Sequence, residues 1–200
     1  CSSDLPESYS RWEDVYARWG DELPRASVQI RTGIRHRIAI RIGGRTAEEA
    51  IRVLRDFGRV TGDGDDRLQV GPLKMTVDGG FTGPAAYTID PYRGQPDYRG
   101  VRSTSREDFY TLSKAAHEMG WQMGVHTIGD AAITEAVEDW ARMLEESPRA
   151  DHRHFLNHFT VKPPEETMRL MAKHDIHVAQ QPNFTYTLEG RYVDNLSPAK

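Results

Sequence analysis

From Thr46 onward, apolar residues alternate between helical spacing and every-second-residue spacing. Thr46-Ala47-Glu48-Glu49 is a capping box, followed by Ile51, Leu54 and Phe57 at helical spacing. A turn-rich stretch, Thr61-Gly62-Asp63-Gly64-Asp65-Asp66, comes next, and Arg67 to Val77 reads as a strand interrupted near Gly71-Pro72. Residues 78–104 are rich in Gly, Pro and Tyr and carry no period. A loop of that length suggests a lid or a binding loop. Ser105 caps a helix with Asp108 at the box position. Phe109, Leu112, Ala116 and Met119 form its stripe, and Gly120 ends it. Trp121 to His126 is a strand. Ile133, Val137, Trp140 and Leu144 mark a helix that runs to Ser147-Pro148, and Arg153 to His158 is a strand. Pro164 opens a helix carrying Met168 and Met171, and Ile176 to Gln181 is a strand stopped by Pro182. Before Thr46, Arg11 to Trp19 looks helical and Ser27 to Arg31 is a candidate strand.

Strands and helices recurring at roughly thirty-residue spacing predict βαβ units and a parallel sheet. No repeat, low-complexity tract or linker divides the chain. Strand alternation adds a second signal. Leu73, Met75 and Val77 share one face, and Lys74, Thr76 and Asp78 the other. Trp121, Met123 and Val125 oppose Gln122, Gly124 and His126. His154, Leu156 and His158 are expected on one face of the next strand, and His177, Ala179 and Gln181 on one face of the last. A doubly wound sheet has two apolar faces. A face that turns polar near strand C-termini suits a barrel whose mouth holds a site.

Composition limits the chemistry. The 200 residues carry 26 Lys and Arg against 30 Asp and Glu, a net charge of −4, which disfavours a globally basic nucleic-acid binder. No apolar run approaches the ~20 residues that span a bilayer. A single cysteine excludes an intrachain disulfide framework and a Cys-rich zinc site, whereas eight histidines leave a His/carboxylate site open. The chain starts at Cys1 and stops at Ser197-Pro198-Ala199-Lys200 without a completed element, which predicts an internal piece of a longer protein. Its compartment is not legible, with the cytoplasm slightly favoured. Oligomeric state is likewise open, and a homo-oligomer remains compatible.

The strongest constellation is Lys74, His126 and His158, each at or near the C-terminal end of a separate strand. Imidazole is a common neutral ligand for divalent ions. Lysine is a poor ligand as a cation, but carboxylated by carbon dioxide it becomes an anionic oxygen ligand. Blander readings stand beside these: strand-end histidines are often structural, Lys74 pairs with Asp78, and Asp130 caps a helix. Asp78, Asp130 and Gln181 are the candidate substrate-contacting residues. Tyr87, Tyr92 and Tyr98 either line a pocket or anchor the loop by packing. His117 is expected at the surface or a boundary, and His154 in the core. Arg31, Arg35, His36, Arg37, Arg41 and Arg45 alternate with Ile38, Ile40 and Ile42, which reads as the solvated basic face of a strand. An anion or nucleic-acid patch is the weaker reading, because no aromatics interleave.

At these residues the chain resembles a known family. Leu73-Lys74-Met75-Thr76-Val77-Asp78-Gly79-Gly80 looks like its K-x-x-x-D-G strand and loop. Gly120-Trp121-Gln122-Met123-Gly124-Val125-His126-Thr127-Ile128-Gly129-Asp130-Ala131-Ala132 is similar to G-W-Q-x-x-x-H-A-I-G-D-x-A. Arg153 to His158 resembles R-x-x-x-E-H, and Gln181-Pro182 with Phe184 resembles x-Q-P-x-F. These segments, in order, are those of the YtcJ-like branch of the amidohydrolases (amidohydrolase family 3). The match is good over residues 67–184 and weak before.

The resemblance implies an α/β fold, part of a TIM-type (β/α)8 barrel covering roughly strands 3 to 7. The whole chain would then be part of one barrel domain, with the rest of that domain outside it. It implies a divalent metal, zinc above all, as one or two ions, with Lys74, His126 and His158 as ligands. Activated water would attack an amide-type carbon, cleaving a C–N bond other than a peptide bond in a small-molecule substrate. Neither nucleic acid nor membrane is an expected partner. The strand-1 His-x-His pair and the strand-8 general acid/base Asp have no counterpart here; the Asp is expected beyond residue 200. Asn157 stands where the family has Glu, and Gly80 where it has Ser. The competing reading is a non-catalytic barrel fragment, or a scaffold or binding protein without a complete site.

Overall fold

The computed structural model describes residues 3–4, 9–19, 23, 26–31, 46–80 and 83–196. The basic run at 35–45 lies outside the described residues. Six parallel strands, β1 (Ser3–Asp4), β2 (Ala26–Arg31), β3 (Leu68–Thr76), β4 (Met123–Thr127), β5 (Phe155–His158) and β6 (His177–Gln180), pair in sequence order. After them come the helices α1 (Tyr9–Trp19), α2 (Ala47–Phe57), α3 (Arg106–Glu118), α4 (Asp130–Glu146), α5 (Glu165–Lys173) and α6 (Asn183–Asn195), each following one strand. A doubly wound sheet reverses its strand order. Strict sequential order with a helix after every strand is an arc of a (β/α) barrel. The arc holds six strands, more than the five expected, because the two-residue β1 pairs with β2.

Local sequence accounts for most boundaries. The Thr46 hydroxyl accepts from Glu49 N–H (3.3 Å) while Glu49 accepts from Thr46 N–H (2.9 Å), closing the capping box of α2. Gly58 then ends α2 with φ of 67°, a conformation that costs glycine little. Strand β3 is not interrupted at Gly71-Pro72. Val28 pairs with Val70 and Ile30 with Leu73, so β3 absorbs one extra residue as a bulge there. The helix layer covers one sheet face. Leu73, Met75, Val77, Trp121, Met123, Val125 and Leu156 are buried in a single core with Phe109, Leu112 and Trp140 from the helices.

That core holds a histidine network that sequence spacing does not reveal. His117 is buried, not at a boundary. Met123 N–H donates to His154 Nδ1 (3.0 Å), so a neutral His154 carries its proton on Nε2. Nε2 donates to His117 Nδ1 (2.9 Å), and His117 Nε2–H donates to the Ser147 carbonyl (2.8 Å). His152 Nδ1 accepts from His154 N–H (3.0 Å) and its Nε2–H reaches the His174 carbonyl (2.8 Å). Every ring nitrogen is used, and one tautomer of each ring satisfies the network.

Burial pushes His154 down to about 2 and lowers His117 and His152. In the unfolded chain these rings take up protons near their ordinary value of about 6.5. The stability they contribute is therefore full above about 6.5 and is lost as pH falls toward the folded values. Urea unfolding from about pH 7 to about pH 5 is expected to lose about 1.4 kcal/mol per pH unit for each ring that must gain a proton. A His154→Gln variant should show a flatter slope. A stability that does not change over that range would contradict the neutral network.

Candidate metal centre

Register aligns the inner, polar face of the sheet. Lys74, Gly124, Phe155 and His177 are level across β3 to β6, and Thr76, His126, Asn157 and Ala179 form the next level. In a parallel sheet such level residues share a face, so Lys74 and His126 lie on one face, one level apart. The Phe155 ring fills the space over Gly124, where a Cβ would lie 2.5 Å from a ring carbon. Gly124 thus leaves room for a ring in the row that Lys74 shares.

His158 departs from the alternation. His154 and Leu156 point into the helix-side core as expected, but His158 does not join them. Its φ is 76°, and that of Phe159 is 47°. These left-handed residues break the strand and swing the imidazole toward the polar face. Its ring centroid lies 4.5 Å from that of His126, edge on. The turn is one that non-glycine residues adopt at a cost.

Lys74 has no ion-pair partner among the described residues, so the pairing with Asp78 is not made. Burial alone lowers its ammonium to about 8, so that about a tenth of it is neutral at pH 7. The His158 imidazole is also held below its ordinary value, first by burial and then by the Lys74 charge, with Gln181 opposing. Two imidazoles and a desolvated amine are therefore gathered at the C-terminal ends of β3, β4 and β5.

Of the candidate substrate contacts, Asp78 and Asp130 are fully buried. Asp78 accepts from the backbone N–H groups of Tyr87 (3.0 Å), Ile128 (3.0 Å) and Gly129 (2.8 Å), and Oδ1 is 3.8 Å from His126 Nε2. Burial pushes its carboxyl up to about 7 against those three donors. Asp130 opens α4, accepting from Ala131 N–H (3.1 Å) and from Ile89 N–H (3.0 Å). Both carboxylates hold Tyr87 and Ile89 of the loop against the β4–α4 turn. Gln181 sits on the exposed rim, and its Oε1 is bonded to His158 Nδ1.

The long loop is packed rather than loose. Ala86 and Tyr92 form a second small core with Ile128 and Val161, against which Tyr98, Tyr192 and Leu196 pack. The Tyr92 hydroxyl donates to the Ala86 carbonyl (2.8 Å), and Tyr87 hydroxyl meets Glu135 at 3.5 Å. The anchoring reading of these tyrosines is the one observed. Arg93 N–H also donates to the Asn195 carbonyl at the end of α6 (2.9 Å). Gly129 permits the closest approach, because a Cβ there would lie 1.9 Å from the Tyr87 carbonyl oxygen. Gly129→Ala is expected to destabilise the protein by about 1–3 kcal/mol and to expose residues 83–100 to protease. A thermal melt and a digestion pattern identical to wild type would contradict this packing.

The donor chemistry fits a divalent ion in part. Among the described residues no three His, Cys, Asp or Glu side chains cluster as a ligand set. The two neutral imidazoles suit such an ion, and Lys74 completes a third donor only when carboxylated. No described helix is long and apolar enough to cross a membrane.

A sequence profile of the amidohydrolase family matches residues 18–198. Over 87 residues the chain is 30% identical to YtcJ of Bacillus subtilis (strain 168), a match spanning 44% of this chain and 16% of that protein. Its fold superposes on an uncharacterised metal-dependent hydrolase of Pyrococcus furiosus with a TM-score of 0.72 at 16% identity, covering 98% of this chain and 36% of that one. A Xaa-Pro dipeptidase with methionine bound in its active site superposes at 0.51 and 16% identity, over 99% of this chain and 45% of that one. The chain thus spans less than half the length of each of these proteins.

Proposed function

Since the chain belongs to the amidohydrolase family, we propose that the protein is a metal-dependent hydrolase that cleaves an amide or cyclic-amide C–N bond of a small molecule. The observation that carries this is the convergence of His126, His158 and Lys74, which makes no ion pair among the described residues, at three neighbouring strand ends. His126 and His158 hold a divalent ion, zinc by preference for imidazole donors, and Lys74 joins them as a carbamate. The neutral Nζ forms a bond to the carbon of carbon dioxide and loses a proton to water, leaving an anionic oxygen donor. A bound ion supplies Lewis-acid and water-activating chemistry. The chain's own residues do the positioning: Gln181 holds His158, and Asp78 and Asp130 fix Tyr87 and Ile89 of the preceding loop against the β4–α4 turn beside His126.

The test is hydrolysis of a panel of linear amides, cyclic amides and Xaa-Pro dipeptides by the natively purified protein, with and without chelator. Chelator-sensitive turnover of amides or cyclic amides, with dipeptides untouched, is expected. Turnover of the dipeptides alone would move the substrate class to peptides. Absence of turnover on the whole panel would return the protein to a scaffold or binding role.

A further inference from the structure

His158 is the least securely seated member of the site, because regular alternation would bury it beside Leu156. Two left-handed residues in succession, His158 and Phe159, bring it to the polar face. Such backbone persists only where the surroundings over-determine it. Two contacts do so, both from the segment that follows β6. Gln181 Oε1 accepts from Nδ1–H, and the Phe184 ring stacks on the imidazole with centroids 5.4 Å apart and planes 8° from parallel. Phe184 fixes the plane of the ring, and Gln181 fixes which nitrogen carries the proton. Asp78 Oδ1 stands 3.8 Å from His126 Nε2, too far for a hydrogen bond.

We propose that Gln181 is a positioning residue, assisted by Phe184, that locks His158 as the Nδ1–H tautomer and so commits the Nε2 lone pair to the metal. This rests on the metal reading above. Gln181 then acts on the ion through His158 and does not itself contact substrate. An amide oxygen on a ligand's distal N–H raises the basicity of the other nitrogen and removes rotational freedom.

The experiment combines long-range 1H–15N correlation of histidine-labelled, ion-free full chain with zinc titration, on wild type, Gln181→Leu and Gln181→Glu. Gln181 is exposed, so neither replacement disturbs a core. Wild type is expected to show His158 as Nδ1–H. Gln181→Leu should revert to the Nε2–H form that free imidazole of histidine prefers, and bind zinc about 10–100-fold more weakly. Gln181→Glu, which keeps an acceptor at the same place, should restore both. A wild-type His158 protonated on Nε2, or a Gln181→Leu variant unchanged in tautomer and affinity, would overturn the positioning role. A wild type with the Nδ1 proton that binds no zinc would overturn the metal reading while upholding the ring positioning.

Discussion

Replacing His126 or His158 with alanine in the natively folded protein is expected to lower metal-dependent hydrolysis by about a thousandfold or more. Lewis-acid and water activation supply several kcal/mol of transition-state stabilisation, and each 1.36 kcal/mol is about tenfold in rate. The two rings are the only imidazoles brought to the strand ends of β4 and β5 among the described residues, with centroids 4.5 Å apart. Among the described residues no group of three or more His, Cys, Asp or Glu side chains is assembled that could replace either ring. For His158 the control is His158→Asn. Asparagine tolerates the left-handed backbone observed at φ 76° better than alanine does, so it removes the imidazole while sparing the turn. Loss of activity in both His158 variants, with thermal stability retained in His158→Asn, is the expected pattern. Full turnover in either alanine variant would remove that residue from the site.

The second large effect is expected at Lys74. A half-buried lysine with no ion pair among the described residues costs stability, so Lys74→Ala should leave the fold intact or firmer. Activity and metal load should nonetheless collapse, because the third donor is gone. A short carboxylic acid such as propionate, added at millimolar concentration, is expected to occupy the vacated space and restore part of both. Lys74→Arg should not be rescued: the guanidinium stays charged, fills the space and does not add carbon dioxide. An alanine variant with unchanged rate and metal content would exclude lysine from the site.

Much of the architecture is legible in the sequence. The Thr46 capping box, the Ser105 cap and Pro164 act locally, and so do their sequence signals. The polar face through Lys74 and His126 follows from period-two alternation alone. What escaped was set by other segments. His158 breaks the alternation through φ values that no residue type at 158 or 159 announces. Helix α6 is not predicted, because Pro182 signals only the end of a strand, whereas it also serves as the N-cap of the next helix. The His117–His154–His152 network joins α3 to the β5 approach, and its members have no spacing in common. The burial of Asp78 and Asp130, the candidate substrate contacts, is not legible in the sequence: it arises from the packing of residues 83–104, whose close approach at Tyr87 depends on Gly129. The substitution of Asn157 for the family's Glu places a neutral amide level with His126, where its Nδ2–H reaches the Val125 carbonyl at 3.5 Å.

Elemental analysis of the natively purified protein, without added metal or chelator, bears most directly on the assignment of Lys74, His126 and His158 as ligands. One or two zinc-like ions per chain, falling to none in His126→Ala and Lys74→Ala, is the expected result. A wild-type protein with no stoichiometric metal, before and after incubation with zinc and bicarbonate, would contradict it.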